Sequence, residues 1–127
     1  MRDVQISEDA LEDLNNGYLF YEAQESGLGQ YFGSCLRADI EGLRISAGIH
    51  RVVYRDYQRL LSRVFPYGIF YTFEQERAVV WAVIDLRRSP EWVRQRLADQ
   101  DRIGSPGGLP SRLPHHLTCG SASGGSG

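Results

Sequence analysis

Lysine is absent from this chain: all fourteen basic residues among its 127 are arginine. That excludes a lysine Schiff base and lysine as a proton carrier. Arginine stays protonated, so the available cations capture anions and stabilise charge but serve poorly as acids or bases. Long apolar runs are also missing, and none approaches the ~18 residues that a membrane span needs. Cysteine is scarce, and Cys35 and Cys119 are too few for a disulfide scaffold. Cys35 falls on an apolar helix face and reads as core. No Cys/His cluster has metal-ligand spacing, and the adjacent His115 and His116 make a poor chelate, so neither metal nor cofactor is expected. The first ten residues are acidic, unlike a signal peptide, which makes the cytoplasm the expected compartment.

What is present fits one domain. A core of about 98 residues can bury roughly 60–65% of its unfolded surface, enough for a stable fold. The formal net charge of −2 hides a split. Residues 1–48 carry nine acids and three Arg, a net −6, whereas residues 49–98 carry five acids and nine Arg, a net +4. Such asymmetry suggests a basic face for an anionic partner.

The pattern of side chains changes period along the chain. Asp3–Ile6 alternates as a short strand does. Ser7 then offers an N-cap, with Glu8 and Asp9 placed where a helix dipole favours negative charge. Leu11, Leu14, Tyr18 and Tyr21 predict an amphipathic helix over 8–25, stopped by Gly27. Phe32, Leu36, Ile40, Leu43 and Ala47 predict a second helix from Leu28 to Ala47, and the short link implies an antiparallel hairpin. After Gly48 the period is two. Strands are predicted over Ile49–Arg55, Arg59–Val64, Ile69–Phe73 and Val79–Leu86, with a bend or bulge at Pro66 and Gly68. The run from Ala78 to Ile84 is apolar on both faces, as a central strand would be. Ser89-Pro90 starts a last helix over 90–98, which Trp92 would anchor to the sheet. The expected class is α+β: an N-terminal helical hairpin on an antiparallel β-sheet, with a short C-terminal helix. Residues 104–127 hold seven Gly, five Ser and three Pro, so 99–127 is expected to be a disordered Gly/Ser/Pro-rich tail outside the 1–98 domain.

Two stretches are distinctive: Arg63-Val64-Phe65-Pro66-Tyr67-Gly68-Ile69-Phe70-Tyr71, and Ala82-Val83-Ile84-Asp85-Leu86-Arg87-Arg88-Ser89-Pro90-Glu91-Trp92. Their order resembles the RelE/ParE superfamily, the toxins of bacterial type II toxin–antitoxin systems, over about residues 3–97. The resemblance implies a toxin neutralised by a small cognate antitoxin. The family has two mechanisms. ParE-like members inhibit DNA gyrase, and RelE-like members are ribosome-dependent, metal-independent mRNA endonucleases.

Metal-free RNA cleavage needs a base for the 2′-OH, a proton donor for the leaving oxygen, and cations for the developing charge. The weak catalytic candidates are Arg63, Tyr71, Arg87 and His50. Many relatives carry His before the Arg of the last strand, and Asp85 stands there instead. This departure and the missing lysines favour the ParE-like branch. The candidate antitoxin- or target-binding residues are Arg51, Arg55, Arg59, Arg63, Arg87 and Arg88. Plainer roles stay open for several of them. The Arg63 stem can pack beside Phe65, Arg87 and Arg88 can pair with Asp85 and Glu91, and His50 can be an ordinary strand residue.

Overall fold

Ser7 starts the first long helix as its side chain requires, its hydroxyl accepting the Ala10 N–H at 3.1 Å. The computed structural model describes residues 2–102 and 111–112. In chain order the elements are β1 (Asp3–Ile6), α1 (Glu8–Gln24), α2 (Leu28–Glu41), α3 (Leu43–Ser46), β2 (Val52–Tyr54), β3 (Tyr57–Leu61), β4 (Tyr67–Glu74), β5 (Arg77–Asp85), α4 (Pro90–Arg102) and β6 (Ser111–Arg112). The expected second helix is divided at Gly42 into α2 and α3.

The α1–α2 link is a compact device. Gly27 takes φ +90°, a conformation that favours glycine. The Glu22 carboxylate then accepts the N–H groups of Gly27 and Gly29, each at 2.9 Å, which satisfies donors at the start of α2. The α1 face turned inward is Ala10, Leu14, Gly17 and Tyr21, one residue away from the predicted stripe at Leu11 and Tyr18. The cause is Gly17. Its missing side chain admits the Phe32 ring, and a Cβ there would sit 2.4 Å from two ring carbons. Tyr18 is left 37% exposed. The α2 stripe is as predicted, with Phe32, Leu36, Ile40, Leu43 and Ala47 buried and Cys35 beside them.

The strand order is β2-β3-β4-β5-β1-β6. The α+β class and the helical hairpin on a sheet are observed, but the sheet is mixed. β1 runs parallel to β5, from Asp3 opposite Arg77 to Ile6 opposite Val80. β1 leads through Ser7 into α1 and β5 through a short turn into α4, and the two helices cover opposite faces. The hairpin covers one face over Ile69, Tyr71, Ala78, Val80 and Val83. α4 covers the other, where Leu97 packs with Tyr57, Phe70, Trp81, Ala82 and Ile84.

A β-bulge lets one strand serve both cores. Phe70 pairs with Ala82 and Tyr71 with Val80, so Trp81 is an extra residue on β5. Trp81 and Ala82 consequently pack on the same α4 face, and Val83 returns to the hairpin face. The expected bend is present at Pro66, where the Tyr67 N–H donates back to the Phe65 carbonyl at 2.7 Å, and the bulge is a separate irregularity within the strand pair. The Trp81 indole N–H donates to the Thr72 hydroxyl at 2.9 Å.

Two further corrections concern the C-terminal part. α4 runs to Arg102 instead of stopping at 98, and Leu97 is its fully buried anchor. Trp92, the anchor expected from sequence, is 41% exposed. Ser111 and Arg112, within the segment expected to be structureless, pair antiparallel with Ile6 and Gln5. The remainder of that expected tail, 103–110 and 113–127, lies outside the described residues.

Two glycine substitutions separate close packing from helix propensity. Gly17→Val forces the Phe32 ring aside and should cost about 1–3 kcal/mol. Gly33→Ala adds a methyl where no heavy atom lies within 4 Å and should stabilise α2 by about 0.5–1 kcal/mol. Urea midpoints moving in opposite directions would bear this out.

Candidate functional site

On the hairpin face, the buried Tyr71 phenol gathers a closed network. Its hydroxyl donates to the Gln58 side-chain oxygen at 2.9 Å and accepts the Gly48 N–H at 3.1 Å. His50 Nδ1 is the third partner. With the phenol hydrogen committed to Gln58, His50 donates from Nδ1, which makes Nε2 its open nitrogen. Burial lowers the His50 pKa, so the neutral ring prevails at pH 7. Burial raises the Tyr71 phenol, so it stays protonated.

Arg63 belongs to a different cluster. The Asp39 carboxylate, on α2, is buried and needs donors. It receives the Ser62 hydroxyl at 2.9 Å, the Arg63 backbone N–H at 3.3 Å and Arg63 Nε at 3.1 Å. Arg63 therefore ties the β3–β4 loop to the hairpin, although its side chain remains 79% exposed.

Arg87 is committed at the end of β5. Its guanidinium makes a two-pronged contact with Asp85, Nε to Oδ1 at 2.9 Å and Nη2 to Oδ2 at 2.8 Å. These hydrogen bonds hold the Asp85 carboxyl below its usual range. Asp85 thus neutralises the neighbouring Arg. Nearby, burial and the Asp85 charge push the Tyr67 phenol up to about 12, which suits it to donation but not to base work.

The α4 face is organised differently. Between the sheet and α4 lies a cleft of about 230 Å³. Phe70 and Leu97 belong to its floor, Tyr54, Leu86 and Val93 to its walls, and Arg59, Arg88 and Arg94 bring three guanidinium-bearing side chains to it. Arg59 comes from β3 opposite Phe70, Arg88 from the turn after β5, and Arg94 from α4. Among the described residues none of the three has an ion pair or a side-chain hydrogen bond. The Arg88 guanidinium lies 4.4 Å from the Trp92 ring centroid, and that of Arg55 lies 5.2 Å from Tyr54. Arg51 is exposed just before β2. Of the six binding candidates, the structure brings Arg59 and Arg88 to one cleft and Arg55 close to its Tyr54 wall. It leaves Arg63 and Arg87 on acids. Arg94 was not singled out from sequence. A signal existed, because Arg94 flanks the Val93–Leu97 stripe that seats α4, but its weight depends on knowing which sheet face α4 covers.

A second cleft of about 480 Å³ lies between α1 and α4 over the end of β5. Pairing with β1 stops at Val80, so the outward N–H of Val83 needs another acceptor. Asp13 supplies it at 3.0 Å and also receives Arg96 at 2.7 Å. Burial pushes the Asp13 carboxyl up to about 6, against the opposing pull of Arg96 and the Val83 amide. Phe20 and Trp92 line the opening and are half exposed. Among the described residues, no three His, Cys, Asp or Glu side chains are placed to hold a metal ion. No helix among them is long and apolar enough to cross a membrane.

No protein-family model matches the chain, and no curated protein matches it. A solved structure does. The chain has the fold of a chain in the "Chromosomal ParDE TA system from P. aeruginosa", with a TM-score of 0.60 at 11% sequence identity. The match covers 68% of this chain and 97% of that one.

Two measurements check the local chemistry. Removing the Asp39 carboxylate by Asp39→Ala should cost about 2 kcal/mol, because three donors lose their acceptor. Arg63→Ala should cost under about 1 kcal/mol, since its exposed charge contributes little and Ser62 still bonds Asp39. For Asp13 the folded-state pKa of about 6 exceeds the unfolded value of 3.8, so the fold prefers the protonated acid. Its contribution is therefore greatest below the unfolded value and declines as pH rises from about 4 to 6. Thermal melts of the native chain and Asp13→Asn across that window should show the native chain gaining relative stability as pH falls. A constant difference would contradict the assignment.

Proposed function

We propose that this protein is the toxin of a type II toxin–antitoxin system, held by a small cognate antitoxin and acting as a ParE-like inhibitor of DNA gyrase. The fold shared with the ParDE structure supports the system. The observation that carries the choice of branch is how the polar side chains are spent. Each of the four catalytic candidates read from sequence has a structural engagement: Tyr71 with Gln58, His50 with Tyr71, Arg63 with Asp39, and Arg87 with Asp85. The unpaired cations Arg59 and Arg88 lie instead around a small apolar cleft on the opposite sheet face from Tyr71. An acid–base pair beside a phosphate-binding cation is what cleavage would need. A rigid face with anion-capturing side chains is what binding needs.

The mRNA endonuclease is the second reading, and His50 is what favours it. Its tautomer is set by Tyr71, and its open Nε2 is neutral at pH 7, the state required of a base.

Induction of the full chain in bacterial cells tests the proposal. The expected result is growth arrest, relieved when the short reading frame adjacent to the gene is co-expressed. Purified chain should inhibit supercoiling by gyrase, and primer extension on translated message should show no codon-phased cuts. Normal growth at good expression would overturn both toxin readings. Phased cuts that disappear in His50→Ala would replace gyrase inhibition with the endonuclease.

A further inference from the structure

The cleft under α4 has a chemistry more specific than a basic surface. It joins an apolar floor to three cations. Phe70 and Leu97 are fully buried beneath it, and the partly exposed Val53, Tyr54, Leu86 and Val93 leave apolar surface open above them. Arg59, Arg88 and Arg94 make no ion pair among the described residues, in contrast to Arg63, Arg87 and Arg96, although the Arg88 charge still reaches Asp85. Nothing in the local fold requires the first three to converge, since the engaged arginines already hold the loop, the strand end and α4.

Size limits what can enter. Pockets for drug-sized ligands and cofactors span about 300–1,000 Å³. This one holds about 230 Å³, the scale of one or two side chains. A phosphodiester strand could meet the arginines, but it would leave the apolar floor unfilled. An apolar side chain flanked by carboxylates satisfies both parts: it covers the partly buried Val53, Leu86 and Val93, and its neighbours pair with the guanidiniums.

We propose that the cleft bounded by Arg59, Arg88 and Arg94 is the seat for an acidic amphipathic segment of a protein partner, which inserts one apolar side chain between β3–β4 and α4. The inference rests on the antitoxin reading above and names the contact through which that partner holds the chain. Such a contact places charge-assisted hydrogen bonds around a desolvated anchor, the arrangement in which interface energy concentrates. The Arg59 and Arg94 pairs together should carry about a hundredfold in affinity, tenfold for each charge-assisted bond lost.

The test uses the full chain and, as probe, the product of the short reading frame adjacent to its gene, with affinity measured by calorimetry. The expected result is tight binding by the native chain and about a hundredfold loss in the double variant Arg59→Gln/Arg94→Gln. Arg77→Gln, which removes a cation at the far end of β5, should bind as the native chain does. Val93→Phe keeps every charge but narrows the cleft, and it should weaken binding with an unchanged circular dichroism spectrum. Unchanged binding in the double variant and in Val93→Phe would overturn the seat while leaving the toxin reading intact. Failure of the native chain to bind would overturn the antitoxin reading and this inference with it. Binding of a single-stranded RNA oligonucleotide that is lost in the double variant, with the protein probe still held, would assign the cleft to nucleic acid and overturn the proposal.

Discussion

The extra residue at Trp81 is the constraint on which the arrangement depends. A regular β5 would keep one set of side chains on the hairpin face for its whole length. The bulge exchanges the faces midway, so Ala78, Val80 and Val83 serve the hairpin core while Val79, Trp81, Ala82 and Ile84 serve the α4 core. It also falls where β1 stops pairing. Beyond it the outward edge of β5 has no strand neighbour, and Asp13 bonds the Val83 N–H in place of a strand. That carboxylate then draws Arg96 across from α4. The bulge, the end of β1, the helix α1 and the seating of α4 are thus linked through a few named atoms. The α4 cleft exists because α4 covers Phe70 but leaves Val53, Tyr54 and Leu86 partly open beside it.

The charge split in the sequence acquires a different meaning in three dimensions. The acidic first half does not merely repel and the basic second half does not merely project. Asp3 meets Arg77, Asp13 meets Arg96, and Asp39 meets Arg63, each pair joining the two halves. Asp39 and Asp13 are the sheltered acids, and each also receives a backbone N–H, so they serve the fold as acceptors more than as charges. What remains for a partner is the subset of arginines without such acids. Part of the surplus positive charge is therefore left around the α4 cleft, on Arg59, Arg88 and Arg94.

Helices and strands were legible because their signals are local. Ser7, Gly27 and the Phe32–Ile40 stripe act over four or five residues, and Ser89 likewise accepts the Trp92 N–H that its N-cap role demands. The parallel placement of β1 was not legible, since a four-residue strand carries no mark of its direction. The inward face of α1 was misjudged by one position because a glycine counts as nothing in an apolar stripe, although here it is where the Phe32 ring enters. The bulge left a trace, the two-faced apolar run from Ala78 to Ile84, but an unbroken buried strand leaves the same one. Among candidate site residues, sequence identified Arg59 and Arg88 by charge. Charge alone could not distinguish them from Arg63 and Arg87, whose acids lie close in space, one of them 24 residues away along the chain.

The chemistry of the two sheet faces now argues for binding over proton transfer. A base must lose a proton near neutral pH and a donor must offer one to the same substrate. Tyr67 and Tyr71 are both moved away from neutrality by burial, and the Tyr71 hydrogen is already committed to Gln58. Of the candidates named from sequence, His50 alone has a suitable state, and it sits with Tyr71 on the hairpin face. Arg59 and Arg94, which could stabilise a phosphate, are on the α4 face, opposite His50. A single RNA backbone cannot use a base and a cation separated by the thickness of a sheet. A protein partner has no such restriction, because its grip needs only an anchor, complementary charge and exclusion of water, and the cleft beneath α4 places the first two side by side.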